Sequence, residues 1–149
     1  MIVIRLTDFE QSPGGTGYVD FDAAFRCSNF AGESRHLSLP ESDLLQFAAE
    51  LSALAKTSKG RANLVAGWGE RECLNLTFQP KGELGLIELH LIIRENGGAE
   101  TFGAEGARLL EPQQLLDFSM ALNRAVTSHE RVDLELRFSA SSNKRWSGP

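Results

Sequence analysis

The chain has 149 residues, 42% of them hydrophobic and 23% charged, with a formal net charge of -5. That is enough apolar material for one buried core, so a single domain is expected. Acids outnumber bases in both halves, nine to six in residues 1–70 and eleven to nine in residues 71–149, which excludes the basic arm that general phosphate-backbone binding requires.

The first stretch, MIVIRLTDFE, places Ile2, Ile4 and Leu6 on one parity and reads as a strand that starts almost at the first residue. It lacks the basic segment and cleavage site of a signal peptide. The turn cluster SPGGTG follows, then Val19, Phe21, Ala23 and Phe25 alternate against Asp20, Asp22 and Arg26. Period two with turn punctuation means antiparallel strands. NFAGESR reads as a short connection to a strand at His36–Leu39. From LPESDLLQFAAELSALAKTSKG onward the period changes, and Leu44, Phe47 or Ala48, Leu51 and Leu54 make one stripe of an amphipathic helix, about Glu41–Thr57, with Gly60 past its end. RANLVAGW resumes alternation through Ala62, Leu64, Ala66 and Trp68.

The second half repeats this order. ECLNLTFQP alternates through Leu74, Leu76 and Phe78, and GLIELHLIIREN through Ile87, Leu89, Leu91 and Ile93. NGG makes a turn and ETFGAEGARLL a third strand. EPQQLLDFSMALNRAVTS then forms a second helix, about Pro112–Ser128, with Pro112 suited to its first turn. RVDLELRF closes the unit with Val132, Leu134, Leu136 and Phe138 on one face. At an offset of 71 residues, five of sixteen positions are identical: Leu39/Leu110, Leu44/Leu115, Leu45/Leu116, Phe47/Phe118 and Leu51/Leu122. A unit of about 70 residues with one helix leaves a sheet face too wide for that helix to cover, which a second copy would complete. The expected fold class is therefore α+β: mostly antiparallel β-sheet with two amphipathic helices and an internal duplication, β-β-β-α-β twice. The alternative is an ordinary α+β domain whose two helices merely look alike. In domain terms, residues 1–140 form one domain of two repeats, about 1–70 and 71–140, followed by a flexible polar tail at 141–149.

Chemistry leaves few traces in the sequence. His36, His90 and His129 have no HxH, HExxH or cysteine neighbour, so no metal site is expected. SPGGTG lacks the Gly-Lys-Ser/Thr ending of a phosphate loop and precedes a strand, and no GxSxG elbow occurs. The pairs Asp20/Asp22 and Asp133/Glu135 have strand spacing, which sets both side chains on one face, but no aromatic platform accompanies them as a glycosidase cleft would require. Cys27 shares the inward parity of Phe25 and is expected in the core. Cys73 has the parity opposite to Leu74 and is expected at the surface. The two form no CxxC pair, which suits reduced thiols in a cytoplasmic protein. No stretch approaches the roughly 18 apolar residues of a membrane span. The sequence thus points to no catalytic residue, no cofactor, no nucleic acid and no membrane, and it leaves the oligomeric state open.

Between Leu39 and Val126, about 60% of the chain, the helix DLLQFAAELSALA, the segment KGRANLVAGW, the block LNLTFQPKGELGLIELHLII and the helix PQQLLDFSMAL together resemble WapI-type bacterial immunity proteins and related uncharacterised families. The resemblance implies a non-enzymatic module that neutralises a cognate toxin by binding it, and it carries over no catalytic residue. Strand parity supplies a face for such a partner. If Val19, Phe21, Ile87, Leu89, Val132 and Leu134 point inward, then Asp20, Asp22, Glu88, Asp133 and Glu135 point outward as an acidic sheet face able to attract a basic surface. Trp146 in the tail is a further docking candidate. The competing expectation is a small enzyme or small-molecule binder with its site in the groove between the two repeats.

Overall fold

The computed structural model of the protein describes residues 1–11, 17–27, 30–68, 71–83, 85–94 and 103–137. Their order is β1 (Ile2–Gln11), β2 (Gly17–Cys27), β3 (Phe30–Pro40), α1 (Glu41–Thr57), β4 (Ala62–Trp68), β5 (Arg71–Lys81), β6 (Leu86–Arg94), β7 (Gly103–Leu110), α2 (Pro112–Thr127) and β8 (Asp133–Leu136). The fold is α+β, and β-β-β-α-β runs twice. The loop residues 12–16, the NGG turn, Phe138 and the tail 141–149 with Trp146 lie outside the described residues, as does the side chain of Trp68.

Two four-stranded antiparallel sheets form, in the orders β3-β2-β1-β8 and β7-β6-β5-β4. Each takes three consecutive strands from one half and its fourth from the other half. β8 pairs with β1 from Ile2↔Leu136 to Arg5↔Asp133, and β4 pairs with β5 from Ala62↔Phe78 to Trp68↔Arg71. The connectivity of the two sheets is the same, as an internal duplication requires.

The helices follow the apolar stripes. α1 buries Leu44, Phe47, Ala48, Leu51 and Leu54, and α2 buries Leu115, Phe118, Ser119, Leu122 and Ala125 at the corresponding places, plus Val126. Acidic Glu41 and Asp43 sit in the first turn of α1 and basic Lys56 in its last, which suits the helix dipole. The left-handed turn that ends α1 falls on Ser58, whose N–H donates to the Leu54 carbonyl, two residues before Gly60. Pro112 opens α2, and the Glu111 N–H donates to Gln114 Oε1. Its far end closes on His129, also left-handed, with the His129 N–H donating to Val126 O and the Glu130 N–H to Ala125 O. The helices pack on each other and, with the inner faces of both sheets, enclose one hydrophobic core. Phe47 of α1 meets Phe78 of β5 there, ring centroids 6.0 Å apart.

Three bulges break the strand parity that the sequence suggests. Opposite Leu6/Asp8 the register of β1 and β2 shifts at Thr7, so Thr7 and Asp8 both face outward and Phe9 packs inward. In β3, Arg35 and His36 together oppose Asp22, both exposed, between buried Ser34 and Leu37. In β5 the shift opposite Ala66/Gly67 turns Cys73 inward beside Leu74. This corrects the expectation for Cys73, which is fully buried; Cys27, expected in the core, is half-buried and packs against it. Within NFAGESR, expected as a connection, Phe30 to Arg35 belong to β3. Its inward positions carry Gly32 and Ser34, so no apolar alternation betrays the strand.

Candidate partner-binding faces

Parity places Asp20 and Asp22 of β2 and Asp133 and Glu135 of β8 on the outer face of the first sheet. Glu88 lies on β6 in the second sheet, so the five acids do not share one face. This corrects the single acidic face expected from parity, which tells inside from outside but not one sheet from another.

Asp22, Asp133 and Glu135 all have neighbours that use their charge. Arg5, the cross-strand partner of both Asp22 and Asp133, grips Asp133 with a two-pronged contact, Nε to Oδ1 at 2.8 Å and Nη2 to Oδ2 at 3.1 Å. The Arg5 hydrogen bonds hold the Asp133 carboxyl below its usual range, and the same contact raises the Arg5 guanidinium. The Asp22 carboxylate accepts the His36 N–H at 2.9 Å. That bond holds His36 in the left-handed conformation the β3 bulge imposes, φ 58. Glu135 pairs with Arg137 at 2.8 Å, and Glu33 pairs with Arg35. Small Val3 and Ala24 floor a shallow concavity of about 280 Å³ among Arg5, Asp22, Arg26 and Arg35. This part of the face is a balanced mosaic of charge, not an acidic patch.

The acidic surplus lies towards the β1–β2 hairpin. The Thr7 bulge turns Asp8 and Glu10 outward beside Asp20, and one carboxylate oxygen of each lies within 4.8 Å of the others. Arg131 answers only Asp8, at 3.0 Å. Tyr18, the cross-strand partner of Glu10, is 38% exposed next to them. At physiological ionic strength the Debye length is about 8 Å, so such a cluster acts as one multivalent charge on a partner that comes within contact range. Sequence reading missed Asp8 and Glu10 because an unbroken β1 would aim both inward.

On the second sheet Glu88 is well enclosed, its side chain 15% exposed. Burial pushes its carboxyl up, but contacts from His90 Nε2 at 2.5 Å, Gln79 Nε2 at 3.4 Å and Lys81 Nζ at 3.3 Å outweigh it, and the net direction is down. Beside this cluster the Asn63 amide donates to Asn75 Oδ1 at 2.9 Å and to Thr77 Oγ1 at 2.8 Å. These groups satisfy one another on the outer face of this sheet.

His129 joins three elements. Its Nε2 lies 2.7 Å from Glu41 Oε1 at the start of α1, and its ring stacks on Phe9 of β1, centroids 4.8 Å apart and 13° from parallel. Glu41 in turn lies over Gly17, where an added Cβ would come within 2.7 Å of the Glu41 carboxyl carbon. Between α1 and α2 runs a groove of about 390 Å³, lined by Ala49 and Ser52 of α1 and by Met120, Asn123 and Arg124 of α2.

No helix among the described residues is long and apolar enough to cross a membrane. Compared with known proteins, the chain matches no family model, no curated protein and no solved structure.

Proposed function

We propose that the protein is a non-enzymatic binding module of the cytoplasm, an immunity protein that neutralises a cognate toxin by covering a basic surface on it. One observation carries the reading: the Asp8, Glu10 and Asp20 carboxylates crowd together on the outer face of the first sheet, where among the described residues Arg131 answers Asp8 alone. Like charges held this close are costly unless something positive approaches, and a positive partner surface gains from all three at once. The exposed Tyr18 ring beside them supplies the large, rigid contact typical of interface anchors. The resemblance of residues 39–126 to WapI-type immunity proteins supports the same reading, and two cysteines present as thiols suit a reducing compartment.

The test is co-expression with the product of the adjoining gene, because toxins and their immunity proteins are encoded together. A stable complex is expected. In that complex Asp8→Asn, Glu10→Gln and Asp20→Asn combined should slow association about tenfold or more at low salt and flatten its salt dependence. The amides of Asp133 and Glu135 should change it far less, because Arg5 and Arg137 already answer those charges. An adjoining product with no toxin-like domain and no affinity would remove the immunity reading, and an unchanged salt dependence would remove this face.

A second reading, a small-molecule binder or small enzyme, draws support from the groove between α1 and α2, where Ser52, Asn123 and Arg124 offer polar groups beside exposed Met120. It predicts ligand-induced thermal stabilisation that is lost on Asn123→Leu, a substitution on an exposed helix position.

A further inference from the structure

We draw no further inference here: the strongest candidate, the junction at the end of β2 where the Cys27 thiol accepts a hydrogen bond from the buried Arg108 guanidinium of β7, rests on a single cysteine, and among the described residues no second feature points to a ligand or reactant there.

Discussion

Replacing Phe47 by alanine tests the core from the side of α1. The ring is 1% exposed and lies against Phe78 across the interface between helix and second sheet. Truncating a buried phenylalanine costs about 3–5 kcal/mol, the transfer of the ring plus the cavity it leaves. A tilted aromatic pair adds about 0.5–1.5 kcal/mol beyond area, so the expected loss lies in the upper half of that range. For a chain of this size each kcal/mol lowers the melting temperature by about 2–4 °C, which makes a fall of roughly 10 °C or more the expected result. Urea titration followed by far-UV circular dichroism measures the loss directly, with the slope of the transition unchanged if the denatured state is unaffected. Phe118, 4% exposed at the corresponding place in α2, should cost a similar about 3–5 kcal/mol when truncated. A loss below about 1 kcal/mol at both positions is what a surface ring would give, and it would mean that neither helix turns this stripe inward.

Ser119 stands where α1 has Ala48, and its hydroxyl is satisfied within its own helix by the Leu116 carbonyl at 2.7 Å. Ser119→Ala should therefore change stability by less than about 1 kcal/mol, whereas Ala48→Leu, which adds bulk to a buried place, should cost about 1–3 kcal/mol; thermal melts of the two variants decide it. Asp22→Ala removes the acceptor for the His36 N–H and should cost about 0.5–1.5 kcal/mol, while Asp22→Asn keeps an acceptor and should cost clearly less; equal losses in urea titration would place the effect in charge rather than in the bulge. Glu88 is held below its usual range when folded, so the unfolded chain binds the extra proton first on acidification. Its contribution is complete above the ordinary glutamate range and is lost as pH falls through the lower folded value. The stability gap between the native chain and Glu88→Gln should accordingly shrink as pH drops from about 6 to about 3, and a gap independent of pH would contradict the hydrogen-bonded carboxylate.

The helices were the most legible part of this fold, because five stripe positions in α1 recur 71 residues later in α2 and a stripe of that length has no strand interpretation. Alternation likewise exposed Ile2, Ile4 and Leu6 as a strand. It failed wherever a bulge added a residue: at Thr7, which turned Asp8 and Glu10 outward, at Arg35 and His36, and at Cys73, which joined Leu74 inside. It also failed at Gly32 and Ser34, since small or polar inward residues leave no apolar rhythm. The partner face suffered most. Asp20 was correctly placed outward, but its neighbours Asp8 and Glu10 were hidden by the bulge, and Arg5 acts on Asp133 across 128 positions of sequence, a pairing that no local pattern encodes. Glu88 shared the parity of the other acids and nothing else.

The exchange of final strands sets a timetable for a chain emerging from the ribosome. β4 and β5 are neighbours in sequence, joined where Trp68 faces Arg71, and the second sheet closes locally once β7 has appeared. The first sheet has no such option. Its edge at Ile2–Arg5 must wait for β8, and at ordinary synthesis rates the interval is on the order of ten seconds. Throughout that interval β1 presents a row of unpaired backbone donors and acceptors, a template for any other extended segment nearby. The nascent protein is therefore most exposed to mispairing along β1, and a chain whose synthesis stops between α2 and β8 would have two helices, one finished sheet and an open edge.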